Sequence, residues 1–189
     1  MKEKITEQSV KLFQEKGFSE TSIQDIVDLL GVTKGTFYYY FTSKEILLME
    51  IHLRYIDDLL IRQKAIIDNS KNCRDKIIRI VSLIILDIEK QGANGRVYFR
   101  EMRNLTQENA KKIKKKREEF RLNIVDVLRE GIESGEFREN IDPKLIALAI
   151  LGVTNWSYNW FNPDGEVSVE DLAEKYVDFV LYGISLKRQ

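Results

Sequence analysis

The chain of 189 residues is long enough for one domain with a good core or for a small head fused to a larger body, and its 43% hydrophobic and 32% charged residues are a globular balance. Lys plus Arg equals Asp plus Glu at 30 each, so no global electrostatic case for a nucleic-acid partner exists and any such case must rest on local residues. The single cysteine, Cys73, excludes an internal disulfide framework and a cysteine-based metal cluster and fits a reducing cytoplasm, and only two prolines, Pro143 and Pro163, interrupt a pattern that favours long helices.

The N-terminus is charged and lacks the apolar core of a signal peptide, and no run of about 18 apolar residues follows, so the expectation is a soluble cytoplasmic protein with no membrane partner. Over residues 4–16, Ile5, Ser9, Leu12 and Phe13 line one helical face, and Gly17 supplies a left-handed stop. Ile23, Ile26, Val27 and Leu30 then repeat at helical steps up to Gly31, with Thr21 or Ser22 placed to cap the start. Only Val32 intervenes before Thr33 can cap a third short helix, whose Phe37, Tyr38 and Phe41 return to the first two. Such tight punctuation is the helix-turn-helix layout. Thr42-Ser43-Lys44-Glu45 reads as a capping box, with Thr42 accepting from the backbone near Glu45 and Glu45 reaching back. It opens a long connector helix through Ile46, Leu47, Ile51, Tyr55 and Leu59.

The pattern continues with a helix over residues 73–91, a break at Gly92-Ala93-Asn94-Gly95, a segment over 97–105, and a long helix over 109–134 ended by Gly135. Asp142-Pro143 caps and starts a helix rich in Leu, Ile, Ala and Val as far as Trp156. Asn162-Pro163-Asp164-Gly165 is a turn before a last helix over 169–186. The fold expected is all-α with about nine helices. A three-helix DNA-binding head occupies residues 1–47 and a helical ligand-binding and dimerisation body residues 48–189, joined rigidly by the helix that starts at Lys44.

The stretch TSIQDIVDLLGVTKGTFYYYFTSKEIL over residues 21–47 closely resembles the head of the TetR family of bacterial regulators. The match includes the Thr21-Ser22 pair, the Gly31-Val32 turn, the Gly35-Thr36-Phe37-Tyr38 segment, the Tyr40-Phe41 close and Lys44-Glu45. A ligand-responsive DNA-binding regulator, by family default a repressor, is what the resemblance implies. The residues support it independently. A major groove about 12 Å wide admits one helix, and the N-terminus of that helix meets base edges and phosphates first. Here those residues are Thr33, Lys34, Gly35 and Thr36: Gly35 lets the backbone approach closely, Thr36 offers a hydroxyl and a methyl, and Lys34 offers charge. Gly in a helix costs roughly 1 kcal/mol relative to Ala, so a packing or contact reason is expected. Tyr38, Tyr39 and Tyr40 step round the helix by about 100° each and cannot share one role. The resemblance makes Tyr38 partly core and sends Tyr39 and Tyr40 to phosphates, and simple packing remains open for Tyr38. Lys44, together with Ser22 and Gln24 at the start of the second helix, is expected to grip the flanking backbone.

Residues 1–50 hold six Lys and no Arg against eight acidic side chains, so modest phosphate neutralisation and a shallow salt slope are expected.

In the body, Leu145, Ile146, Leu148, Ala149, Leu151, Gly152 and Val153, with Leu172, Tyr176, Phe179, Val180, Tyr182 and Gly183, form two helical faces that exceed what one small body needs. A four-helix homodimer interface follows, centred on Leu148, Leu151, Gly152, Tyr176, Phe179, Val180 and Gly183. Such a dimer places two recognition helices roughly 34 Å apart on double-stranded DNA and implies a palindromic operator. The stretch from Asn155 to Gly165, with its Trp156, Trp160 and Phe161, looks like the C-terminal pattern of TetR-type regulators of fatty-acid and steroid degradation, some of which respond to acyl-CoA thioesters. Trp156 and Trp160 either wall an apolar cavity or pack at the dimer seam or in the core.

Tyr98, Phe99, Arg100, Met102 and Arg103 occupy a short segment where such proteins often line their pocket, and the two arginines either meet a carboxylate or phosphate above an apolar tail or pair with Glu101 and solvent. The basic run over residues 111–117 reads either as a phosphate-binding surface or as a solvated helix face. No cofactor, metal ligand set or catalytic group is indicated: His52 is the only histidine and no Gly-rich phosphate loop occurs. The remaining alternatives are a ligand-independent DNA-binding dimer and a small-molecule-binding protein or enzyme.

Overall fold

The computed structural model describes residues 1–184. The elements are α1 (Lys2–Lys16), α2 (Ile23–Leu30), α3 (Lys34–Tyr40), α4 (Lys44–Asn69), α5 (Cys73–Arg100), a 3-10 turn (Met102–Asn104), α6 (Gln107–Glu133), α7 (Pro143–Trp160) and α8 (Val169–Ile184). No strand occurs among the described residues, so the fold is all-α as expected, with eight α-helices where about nine were anticipated. One expected break is a kink: α5 leaves helical geometry at Gln91 (φ −132°, ψ 25°) and resumes, so Gly92 and Gly95 lie inside it. The segment over 97–105 is therefore the end of α5 plus the 3-10 turn. α7 runs a turn beyond Trp156 to Trp160, and the expected end of the last helix at Leu186 lies outside the described residues.

Two helix starts carry local chemistry that positions the rest. Ser22 caps α2 in a capping box, its hydroxyl accepting from Asp25 N (3.1 Å) while the Asp25 carboxylate accepts from Ser22 N (2.7 Å). Asp142 caps α7 by accepting from Lys144 N and Leu145 N ahead of Pro143 at the first helical position. At α4 the expected box is shifted by one residue. Ser43, not Thr42, accepts from the backbone, from Ile46 N (3.1 Å). Glu45 does not reach back either; it accepts from Thr106 N (2.9 Å) and Asn109 Nδ2 (3.1 Å), and so holds the start of α6, which Thr106 caps by accepting from Asn109 N (3.3 Å). Gly17 also departs from expectation: its φ of 88° is positive, but its ψ of 159° is extended and not left-handed helical.

The chain divides into two compact units, Met1–Asp57 with Ala93–Lys115, and Asp58–Gly92 with the chain from Lys116 on. In the first, Ile5, Phe13, Ile26, Phe37 and Phe41 of the three short helices and Leu47 of α4 are fully buried, while Tyr38, expected to pack with them, is 53% exposed. The end of α5 belongs to this unit: Tyr98 is buried with its ring 5.2 Å from His52 and 4.8 Å from Tyr55. In the second unit, Ile77, Ile80 and Ile85 of α5 and Ile124, Val125 and Leu128 of α6 are buried. Phe137 lies directly on Gly131, where a Cβ would stand 2.2 Å from its ring, so only glycine fits there. Glu136 receives Cys73 N (3.2 Å) and Arg74 N (3.0 Å) and so caps α5 across the fold.

Candidate DNA-binding site

The presentation of α3 depends on the turn before α2. Thr21 is buried, and its hydroxyl donates to Gly17 O (2.8 Å). The ammonium of Lys44 donates to Phe18 O (2.6 Å) and Thr21 O (2.5 Å) and stands 4.2 Å over the Phe18 ring. Burial pulls the Lys44 pKa below its ordinary value, against the opposing pull of Glu20, Asp25 and Glu101. Lys44 was expected to grip DNA phosphates. In the structure its ammonium binds two carbonyls of the turn and so ties the start of α4 to the turn before α2.

α3 is capped by Thr33, which accepts from Thr36 N (3.3 Å), and the two threonine hydroxyls lie 3.3 Å apart. Phe37 is fully buried and Phe41 nearly so, while Lys34, Gly35, Tyr38 and Tyr39 are exposed. Tyr38 is 53% exposed and rests edge-on against Phe37, so about half of it faces outward. Tyr39 is 82% exposed and packs edge-on against Tyr40 at 4.9 Å. At Gly35 a Cβ would meet nothing closer than Thr33 Oγ1 at 3.5 Å, an ordinary contact. No internal packing requires that glycine. Ser22 and Gln24 are exposed at the start of α2, with Ser22 bound to Asp25 and Gln24 Nε2 donating to Asp28 (2.6 Å). Lys34 is the only charged residue of α3, so the surface offers hydroxyls and phenols with little positive charge.

The residues expected to meet an effector divide. Arg100 is committed inside the first unit: Nη2 donates to Phe13 O and Gln14 O (2.7 Å each), and Nε to Glu101 (3.1 Å). Glu101, almost fully buried, also accepts from Asn104 (2.6 Å). Of the two partners expected for Arg100, the structure shows Glu101. Tyr98 is core, Phe99 and Met102 are half-buried, and Arg103 is exposed. Trp156 and Trp160 are 66% and 52% exposed, so they lie outside the core of the protomer.

They belong instead to a face of the second unit. On α7, Leu145, Leu148, Ala149, Gly152, Trp156 and Trp160 are exposed at helical spacing; on α8, Phe179 (66% exposed), Tyr182 and Gly183 are exposed. A Cβ at Gly152 or Gly183 would meet nothing within 4 Å. Of the expected interface residues, Val180 is buried and belongs to the core, because Val180 and Leu181 turn inward where Phe179 and Tyr182 turn out. Leu151 and Tyr176 are half-buried, and the Tyr176 hydroxyl meets that of Ser157 (3.1 Å). Sequence reasoning missed Asp87 and did not pair Glu45 with Thr106 and Asn109. Asp87 alone left a signal, as an acid inside the apolar run Ile84-Ile85-Leu86-Asp87-Ile88.

A short capped helix that turns its polar side chains outward, with its apolar ones locked against two preceding helices, defines a helix-turn-helix DNA-binding protein. Residues 5–51 match the profile of bacterial regulatory proteins of the tetR family, and residues 70–184 match that of the tetracyclin repressor-like C-terminal domain. The chain belongs to the TetR family of transcriptional regulators. It is 30% identical over 182 residues to the HTH-type transcriptional repressor KstR2 of Mycobacterium tuberculosis, covering 96% of this chain and 91% of that one. The structure of that ketosteroid transcriptional regulator superposes with a TM-score of 0.91 at 29% identity, over 98% of this chain and 95% of the other. PfmR from Thermus thermophilus gives 0.89 at 32% identity, over 97% and 99% of the two chains. The fatty acid metabolism regulator protein of Bacillus subtilis is 26% identical over 97% of this chain and 95% of its own. No described helix is long and apolar enough to cross a membrane.

Proposed function

We propose that this regulator is a repressor that holds a palindromic operator as a homodimer and leaves it when a small apolar or acyl-CoA-like effector binds the helical body. It acts by binding and not by catalysis. The observation that carries the reading is the outward face of α3, where Lys34, Gly35, Thr36, Tyr38, Tyr39 and Tyr40 are available while Phe37 and Phe41 anchor the helix. Residues 1–47 read DNA and residues 48–189 bind effector and partner. Thr36 and Gly35 meet base edges, and Lys34, Tyr39 and Tyr40 with the start of α2 meet phosphates. The exposed apolar face of α7 and α8 supports the homodimer, since a contiguous patch of this kind on a monomer marks an association surface.

The effector class is supported by the two relatives named for ketosteroid regulation and fatty acid metabolism. Effector binding displaces α4, which starts at Lys44, and a coupling of about 1 to 3 kcal/mol suffices for a useful switch. The test is fluorescence anisotropy on DNA from the region upstream of the protein's own reading frame. Salt-sensitive binding that decanoyl-CoA or a ketosteroid reverses is expected, and binding that no such ligand alters refutes the allosteric scheme.

A further inference from the structure

A polar chain runs from the surface into the apolar core of the second unit, with Asp58 and Arg62 partly exposed and Asp87 fully buried. Asp87 of α5 is fully buried and accepts from Arg62 Nη2 of α4 (2.7 Å) and from the Tyr158 hydroxyl of α7 (3.3 Å). The same Nη2 lies 2.5 Å from Asp58, whose carboxylate also accepts from Gln91 Nε2 (2.9 Å). Gln91 is the residue at which α5 loses helical geometry. The chain therefore ties α4 to α7 and to the kink of α5. Its apolar flanks are buried Leu59 and Ile66 along α4 and Ile84 and Ile88 along α5.

Stability does not account for this arrangement, because a buried ion pair is often matched or surpassed by apolar residues of similar volume. It also leaves a donor unused: Arg62 Nε is buried and makes no hydrogen bond among the described residues. A buried N–H without an acceptor carries its full desolvation cost, which an oxygen arriving on a ligand would relieve. The charge around it selects the kind of oxygen. Two aspartates face one guanidinium, a local formal charge of −1, so an incoming carboxylate is repelled and a neutral acceptor is not.

We propose that Arg62 Nε, backed by Asp87 and Tyr158, is the polar subsite of the effector pocket and takes a neutral carbonyl oxygen carried on an apolar skeleton. The inference rests on the reading of the chain as an effector-responsive regulator. The carbonyl source is a thioester or a ketone, and both present the same acceptor. Occupation draws on the guanidinium that Asp87 and Asp58 share, and through Asp58 it bears on Gln91 and the kink.

The experiment is calorimetry on the full chain with two matched pairs: decanoyl-CoA against decyl-CoA, which lacks the carbonyl oxygen, and androst-4-ene-3,17-dione against 5α-androstane. In at least one pair the carbonyl ligand is expected to bind about tenfold or more tightly than its partner, and decanoate to bind more weakly than the carbonyl ligand. Arg62→Lys keeps a cation between the aspartates but removes the Nε–H, and is expected to bring the ratio near one with the melting temperature held. Should that variant fail to fold, the wild-type ratio decides alone. No preference in either pair, or a ratio that survives Arg62→Lys, overturns the subsite while leaving a ligand-responsive regulator intact. If no ligand binds, the effector class falls and the subsite with it.

Discussion

Replacing Lys44 by Met separates two roles that a lysine at the start of α4 can play. The ammonium makes two short hydrogen bonds, to Phe18 O (2.6 Å) and Thr21 O (2.5 Å), and covers the Phe18 ring. A hydrogen bond to a charged group contributes about 1.5 to 3 kcal/mol. Lys44 is only partly buried, so water takes over some of each carbonyl, and a net loss of about 2 kcal/mol is the reasonable figure. For a protein of this size that is a drop of about 4 to 8 °C in melting temperature. Operator affinity should fall by a similar factor at every salt concentration, because the turn that holds α2 and α3 loosens while no phosphate contact is removed. A phosphate-gripping lysine behaves differently: its loss lowers the slope of log affinity against log salt by about 0.9 per contact, or about 1.8 per dimer, with no change in melting temperature. Scanning calorimetry with anisotropy at four salt concentrations reads both quantities. An unchanged melting temperature with a reduced slope would refute the internal role.

Leu148→Glu places a charge on the exposed face of α7, and sedimentation velocity should find a monomer at micromolar concentration, with operator affinity lower by about a hundredfold or more through lost bivalency. Gly35→Ala should raise helix stability by up to about 1 kcal/mol, since the Cβ fits beside Thr33, yet weaken operator binding; opposite signs in calorimetry and anisotropy are the signature, and unweakened binding would place DNA elsewhere. The Cys73 thiol is pushed up to about 12 by burial first and then by Glu130 and Glu136. It therefore stays protonated at pH 8, and a disulfide reagent such as dithionitrobenzoate should leave it unmodified until denaturant is added.

The head was legible because its information is local. The caps at Ser22 and Thr33, the stop at Gly31 and the spacing of Phe37 and Phe41 are all set within a few residues. Where the phase depended on a distant partner, local reading slipped. Thr42 and Ser43 are equivalent as caps in sequence; the structure uses Ser43, and Glu45 binds Thr106 and Asn109, about sixty positions away. Tyr38 and Phe37 are both aromatic neighbours of the same helix, and only the position of α1 and α2 sends one in and the other out. The same holds on α8: Phe179, Val180, Leu181 and Tyr182 form an unbroken apolar band, so periodicity alone does not say which half is buried. Polar residues within the apolar helices, such as Asp87 and Arg62, were illegible as a pair because nothing in either stretch names the other.

The first compact unit contains more than the head, for it takes in Ala93–Lys115 as well. Arg100 closes the end of α1 by binding Phe13 O and Gln14 O, and Glu45 closes the start of α6. A fragment cut after residue 47 or 51 would strip those carbonyls and that carboxylate of their partners. Any chimera that transplants this reading head onto another regulator must therefore carry two separate pieces of chain, and a single splice point along α4 will yield a head whose operator preference is intact in sequence but poorly held in shape.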